Sequence, residues 1–357
     1  MTERRKTKQV KVGNLFIGGD APITVQSMLN KEAHDIPGNV AQAKALEAAG
    51  CQIIRAAVPD LDAVPTIAAL KEAVAVPIVA DIHFNHKIAL ACVDAGVDKV
   101  RINPGNIGAD ENVRAVANKC RAAGVPIRIG VNSGSVEKEI LAKYGGPTPE
   151  AMAQSAMYHV RLLEKFDFDD IVISIKSSNV HNMIEAYQRV AALCDYPLHL
   201  GVTESGTARM GLVKSAVGIG ALLTQGIGDT IRVSLTDDPT EEVRAGFDIL
   251  SAIGLVNDRP TLISCPTCGR TKIDLIALAK QVEDRLQDVR KPITVAVMGC
   301  VVNGPGEAKE ADVGIAGGDG CGLIFKKGEV LRMVPEDALL DELMKEIEAL
   351  SYISREP

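Results

Sequence analysis

Residues 77–105 read PIVADIHFNHKIALACVDAGVDKVRINPG. Aliphatic and β-branched residues crowd both ends, at 77–83 and 99–105, and a longer helix-like stretch separates them. This is one β-α-β unit, and it recurs. Candidate strands lie at 23–28, 52–58, 77–83, 99–105, 127–132, 171–177, 198–204 and 230–235. Helix-like segments lie between them, such as AQAKALEAAG (41–50), DENVRAVANKCRAAG (110–124) and PTEEVRAGFDILSAIG (239–254). Several end in glycine, the residue favoured just past a helix. Eight such units over roughly 230 residues match the count and length of a (β/α)8 barrel. The alternative is a doubly wound open sheet. It usually has fewer strands, and no GxGxxG follows the first one here.

The pattern breaks at NDRP (257–260). Beyond it, TLISCP (261–266), PITVAVMGC (292–300), ADVGIAGG (311–318) and GLIFKKGEVLRMV (322–334) read as strands, the last a hairpin around Lys327 and Gly328. DLIALAKQVEDRLQDV (274–289) reads as an amphipathic helix, and the segment from Pro335 as a closing helix with an acidic first turn. The expected architecture is α/β: a (β/α)8 barrel over residues 1–256, then a small α+β domain over 257–357.

Composition narrows the function. The chain is 46% hydrophobic but only 3% aromatic, with no tryptophan, so its core is aliphatic, as parallel α/β layers are. A net charge of −7 argues against a nucleic-acid partner. The basic start, MTERRKTKQVKVGN, has no apolar stretch after it, and no run of eighteen apolar residues follows elsewhere. The expected location is the cytoplasm, without membrane contact. Thiols stay reduced there, so eight cysteines point to metal or catalysis rather than to disulfides.

Three cysteines stand out. Cys265 and Cys268 lie in SCPTCGR, and Cys300 in VMGCVVNGPGEA. Each follows a predicted strand beside proline or glycine, where free backbone N–H groups can point at sulfur, as iron–sulfur clusters require. All six histidines precede residue 200, so a mixed Cys/His zinc site in the small domain is excluded. The fourth ligand is open among Cys321, Glu307 and an exchangeable molecule. A four-thiolate zinc site and a redox CxxC remain alternatives. Cys51, Cys92, Cys120 and Cys194 fall in apolar segments and read as core residues.

The strand ends carry a second signal, because barrel active sites lie at the C-terminal ends of the strands. Arg55, Asp81, His83, Arg101, Asn103, Arg128, Asn132, Lys176, Glu204, Arg232 and Ser234 cluster there by position. Five cations on buried strands of an acidic chain imply a polyanionic ligand, a diphosphate being the natural guess. Structural salt bridges, such as Arg55 with Asp81, are the plainer reading. Glu204 is the best general acid/base candidate.

ADIHF, RINPGNIG, RIGVNSGS, GIGDTIRVSL, CPTCGR and GCVVNGPGEA together closely resemble the 4-hydroxy-3-methylbut-2-enyl diphosphate synthases of the non-mevalonate isoprenoid pathway, in order and over nearly the whole chain. The resemblance implies reductive ring opening and dehydroxylation of 2-C-methyl-D-erythritol 2,4-cyclodiphosphate by two one-electron transfers. It implies a [4Fe–4S] cluster on Cys265, Cys268, Cys300 and Glu307. Arg55, Arg101, Asn103, Arg128, Asn132, Lys176, Arg232 and Ser234 match diphosphate-binding positions, and Glu204 the acid/base glutamate. The electron donor is flavodoxin or ferredoxin. The assembly implied is a homodimer, the cluster domain of one chain facing the partner's barrel. Three departures are Ser205 where alanine is usual, Val136 where leucine is usual, and Cys321. A pteroate-synthase-type transferase with a zinc scaffold and a cluster-bearing redox sensor are the rival functions.

Overall fold

The computed structural model describes residues 2–103, 106–287, 289–301, 306 and 308–350. The chain divides into two compact units between Ile253 and Gly254.

In the first unit a short hairpin, β1 (Val10–Val12) and β2 (Leu15–Ile17), precedes eight parallel strands. These are β3 (Thr24–Met28), β4 (Ile53–Ala57), β5 (Ile78–Asp81), β6 (Lys99–Ile102), β7 (Ile127–Asn132), β8 (Ile171–Lys176), β9 (His199–Leu200) and β10 (Thr230–Ile231). Their order is β8-β7-β6-β5-β4-β3-β10-β9, and an isolated parallel bridge between Ile173 and Leu198 joins the two ends. The sheet is therefore a closed barrel with the chain order of a (β/α)8 fold, and all eight expected strands are present. The helices are α1 (Ile36–Ala48), α2 (Val64–Ala73), α3 (His86–Asp94), α4 (Asp110–Ala123), α5 (Lys138–Tyr144), α6 (Pro149–Glu164), α7 (Val180–Leu193), α8 (Ala208–Leu223) and α9 (Pro239–Ala252). Their starts are chemically specified. Thr148 and Asp238 cap α6 and α9, each followed by a proline whose missing N–H costs nothing at that position. Among the described residues no helix is long and apolar enough to cross a membrane.

The β1–β2 hairpin was not legible in the sequence, where the basic start hides two three-residue strands. It closes one end of the barrel. Val10, Val12 and Ile17 pack against Ile53, Val79 and Val172, all fully buried or nearly so. Gly13 makes its turn with φ of 57°, and a Cβ there would stand 2.7 Å from the Asp98 carboxylate. No other residue type fits both constraints.

The second unit holds a five-stranded sheet in sequential order: β11 (Thr261–Ser264), β12 (Thr294–Met298), β13 (Val313–Gly317), β14 (Cys321–Lys326) and β15 (Glu329–Pro335). The first three run parallel and the last two antiparallel. Lys327 and Gly328, both at positive φ, turn the β14–β15 hairpin. Helices α10 (Leu275–Leu286) and α11 (Leu339–Ala349) cover one face, burying Val295, Val297, Ile315 and Ile324 with Val282, Leu343 and Ile347.

The plug makes a prediction. Ile17→Ala removes a fully buried side chain from the hairpin and should lower the unfolding free energy by roughly 2–5 kcal/mol. Denaturant titration measures it. A loss below about 1 kcal/mol would show that the hairpin is not part of the barrel core.

Candidate functional site

Side chains alternate between the two faces of a strand, and paired residues of parallel neighbours share a face. Register therefore fixes which residues point into the barrel. Val79 and Val172 face inward, because they pack on the plug. Val79 pairs with Lys99, Asp81 with Arg101, Arg101 with Arg128, and Arg128 with Val172. On the same parity lie Arg55, Asn132 and Lys176, with Gln26 and Met28 on β3. The sequence-predicted cations thus share the inner face of the barrel, above an apolar floor. Asn103, Arg232 and Ser234 lie just past the ends of β6 and β10 rather than within them.

Two glycines relieve crowding on this face, one beside a guanidinium and one beside the backbone. A Cβ on Gly130 would stand 2.2 Å from the Arg101 Nε, and one on Gly201 2.8 Å from the Arg232 carbonyl oxygen. Arg101 occupies the space, donating from Nη2 to the Gly130 carbonyl at 3.3 Å.

The charges are compensated unevenly. Asp81, almost fully buried, holds Arg101 at 3.0 Å and Arg55 at 3.6 Å. Burial pushes its carboxyl up, but Arg55 and Arg101 outweigh burial and hold it below the usual carboxylate range. Arg55 also donates to the Met28 sulfur, a weak acceptor, at 2.7 Å from Nη2. Burial brings Arg55 down to about 9 against the pull of Asp81. Arg232 sits 3.6 Å from Glu242. The salt-bridge reading therefore applies to Arg55, Arg101 and Arg232.

It does not apply to Arg128 or Lys176. Arg128 is 0% exposed; among the described residues it donates from Nη1 to Gln26 Oε1 at 3.4 Å, and its Nε and Nη2 have no partner. Lys176 has no carboxylate within ion-pair distance among the described residues. Burial first, and then the neighbouring arginines, lower both groups well below their ordinary values. Buried cations without counter-charge are costly unless a ligand supplies it. Crowded guanidinium donors suit the oxygens of a phosphate.

Glu204 stands past the end of β9, exposed, with φ of 51°. A glutamate in the left-handed region is uncommon and marks a position held by its surroundings. The flanking segment is tied to the one after β10. The buried Ser205 hydroxyl donates to the Ser234 carbonyl, and Thr236 donates from its backbone N–H to the Gly206 carbonyl at 3.3 Å. Ser205 thus serves the backbone. His83 accepts from Arg101 Nη1 at 3.4 Å, given the matching tautomer.

In the second unit, Ser264 pairs with Val297, so the chains leaving β11 and β12 emerge at one sheet edge, carrying Cys265 and Cys300. Gly317 pairs with Gly322, so Cys321 begins β14 at that same edge. The Gly299 N–H donates to Cys265 Sγ at 3.1 Å. The backbone N–H of Arg270, then its side chain, lower the pKa of the exposed Cys268 thiol. Thiols that receive N–H donors fit an anionic cluster held by thiolates. Among the described residues no three His, Cys, Asp or Glu side chains converge closely enough to hold a metal ion. Glu307 lies outside the described residues. Elsewhere, burial pushes Cys51, Cys92 and Cys120 up to about 12, which leaves them inert.

Residues 7–247 match the GcpE TIM-barrel domain and residues 261–349 the GcpE protein C-terminal domain. The chain belongs to the GcpE family. Relatives named 4-hydroxy-3-methylbut-2-en-1-yl diphosphate synthase (flavodoxin) include proteins of Caldanaerobacter subterraneus subsp. tengcongensis, 58% identical over 97% of this chain and 98% of that one, and of Clostridium perfringens, 56% identical over 97% and 99%. Among solved structures, dihydropteroate synthase from Stenotrophomonas maltophilia superposes with a TM-score of 0.53 at 18% identity, covering 71% of this chain and all of that one. N-acetylneuraminic acid synthetase from Leptospira borgpetersenii gives 0.51 at 12%, covering 70% and 90%. These two likenesses are of fold alone.

Three inward polar residues of this GcpE-family barrel escaped the sequence reading. Gln26, Lys99 and His199 are fully buried on the same face as the arginines. Their period-two spacing from Met28, Arg101 and Gly201 is the signal that finds them.

An unpaired buried cation trades stability for binding. Arg128→Met should raise the melting temperature of the unliganded protein by about 2–4 °C for each kcal/mol of relieved repulsion. It should weaken pyrophosphate binding roughly 10–100-fold. Thermal melts with and without pyrophosphate read both effects. A variant that melts lower and binds as well as the parent would contradict this account of Arg128.

Proposed function

We propose that this chain is a 4-hydroxy-3-methylbut-2-en-1-yl diphosphate synthase acting in isoprenoid biosynthesis, with 2-C-methyl-D-erythritol 2,4-cyclodiphosphate as substrate and flavodoxin as electron donor. One observation carries the reading: uncompensated Arg128 and Lys176 inside the barrel of a family whose curated relatives bear that name. The overall reaction is balanced. The dianionic cyclic diphosphate takes up two electrons and one proton and leaves as a trianionic linear diphosphate and one water.

The barrel residues bind and stabilise. Arg55, Arg101, Arg128, Lys176 and Arg232 hold the phosphate oxygens, with Asn103, Asn132 and Ser234 as neutral hydrogen-bonding partners at the strand ends. Asp81 orients Arg55 and Arg101. Breaking the ring C–O bond leaves a new negative charge on a phosphate oxygen. Cations already fixed around that oxygen stabilise the charge without reorganising. Glu204 transfers the proton with which the departing hydroxyl leaves as water.

Cys265, Cys268, Cys300 and Glu307 are the residues that would hold a [4Fe–4S] cluster. When bound, that cluster supplies electrons one at a time, the chemistry that reductive C–O cleavage requires. Support comes from the N–H donors at Cys265 and Cys268. The test is anaerobic isolation of Glu204→Gln. Iron and acid-labile sulfide should match the parent, and turnover with reduced flavodoxin should fall by roughly 100-fold or more. Zinc in place of iron would overturn the cofactor, and undiminished turnover the role of Glu204.

The assembly is a homodimer in this reading. Helix α8 turns Met210, Leu212, Val213 and Val217 outward, between 41% and 55% exposed. A contiguous apolar face of this kind is a common mark of an interface. Val213→Glu with Val217→Glu should yield monomers in sedimentation. Persistence of the dimer would remove α8 from the interface.

A further inference from the structure

Among the arginines lies a group that the proposed reaction does not use. Lys99 opens β6, two residues before Arg101, and shares its inward face. It pairs in register with Val79, which packs on the hairpin plug and pairs on its other side with Arg55, so Lys99 and Arg55 flank the same inward residue. Its side chain is 0% exposed, and its Nζ has no hydrogen-bond partner. Like-charged Arg128 on β7 and Arg55 on β4 act on it, and Asp98, one residue away, opposes them. Asp98 is itself engaged by Lys71 at 2.5 Å and by the Ile78 N–H at 2.8 Å. From β9, His199 adds a second buried group. Its Nδ1 lies 3.4 Å from Thr230 Oγ1, and its Nε2 has no partner. Lys176 on β8 and Asp81 on β5 complete the charged lining.

Charge balance shows what such a lysine can do. Among the described residues, the barrel interior sets Arg55, Arg101, Arg128, Lys176 and Arg232 against Asp81, and the Glu242 carboxylate of α9 reaches Arg232 alone. Adding a sixth cation with no partner is unfavourable in the empty barrel, and burial with these neighbours disfavours the ammonium form. A polyanion held by these arginines reverses the sign of the local potential at Lys99, and the ammonium form becomes the favoured one.

We propose that Lys99 is a further residue of the diphosphate site, a positioning group that takes up a proton when the polyanion binds beside it. No bond is made or broken in this step beyond N–H formation, and the proton comes from solvent. The proposal rests on the cyclodiphosphate reading. It adds a consequence for that reaction: a barrel that gains positive charge on binding also accommodates the third negative charge that ring opening creates.

The ligand makes a clean probe, because the cyclic diphosphate carries only diester-type phosphates, which do not titrate near neutrality. Titration calorimetry of the whole protein with the cyclodiphosphate, without reductant, in two buffers of different ionisation enthalpy, gives the number of protons taken up. The parent should take up close to one proton more than Lys99→Met. Its affinity should weaken with rising pH by up to tenfold per unit in the window where Lys99 titrates, a dependence the variant lacks. Lys99→Arg, which cannot shed its charge, should likewise bind without that uptake. His199→Gln should bind with the parent's uptake. Equal uptake by the parent and both Lys99 variants overturns the proposal, as does loss of uptake in His199→Gln alone. Failure of the parent to bind the cyclodiphosphate refutes the substrate reading instead.

Discussion

Positive charge held out of water without enough negative charge to balance it is the constraint around which the first unit is organised. A barrel interior is normally filled by layers of branched aliphatic side chains. Here that filling is confined to the floor, where Ile53, Val79 and Val172 meet the hairpin. The other inward positions carry Lys99, Arg101, Arg128, Arg55 and Lys176. Stability lost there must be supplied by the outer shell, where the helices bury an almost unbroken aliphatic layer against the strands. The plug belongs to the same economy. It seals the barrel interior away from the floor, so these charges are less screened and interact more strongly with an anion than they would in water.

Much of this was legible in the sequence because both signals are periodic. Eight aliphatic runs at regular spacing give the barrel. Polar residues on every second position at strand ends give the inner face, and a charge such as Arg101 between Val100 and Ile102 is conspicuous. What escaped lacked contrast. The hairpin strands are three residues each and sit in a basic segment, so no apolar run announces them. Lys99 opens its strand, where a lysine normally lies outside the ladder and needs no comment. The Arg55–Asp81 pair was readable as a possibility, but not that Asp81 also holds Arg101, nor that Glu242, on a helix after the strand, serves Arg232 while Arg128 and Lys176 go without. Nor was the φ of Glu204, which depends on the ties from Ser205, Gly206 and Thr236.

The eight cysteines show how environment separates residues that composition treats alike. Cys51, Cys92 and Cys120 lie in apolar surroundings where no donor stabilises a thiolate, and burial raises them to about 12. Cys265 and Cys268 lie where two strands have ended and their successors have not begun, so backbone N–H groups have no ladder to join. One of these, from Gly299, turns to sulfur. Loop chemistry, more than the CxxC spacing, makes the edge suitable for a thiolate-held anionic group. The spacing alone left zinc, iron–sulfur and dithiol readings open.

The two units solve opposite electrostatic problems with different materials. An anionic metal–sulfide group needs many weak, short-range donors, and backbone N–H groups at a sheet edge supply them without adding net charge. A diphosphate needs whole charges, because its hydration in water is strong and neutral amides compete poorly with it. Guanidinium groups deliver charge and directed donors together; Gly130 clears the volume that Arg101 needs, and Gly201 lets the Arg232 backbone approach. A methyl group at Gly130 would push the Arg101 guanidinium aside, and one at Gly201 would press on the Arg232 carbonyl. Space at those two positions is therefore as much a part of the anion cradle as the charges themselves.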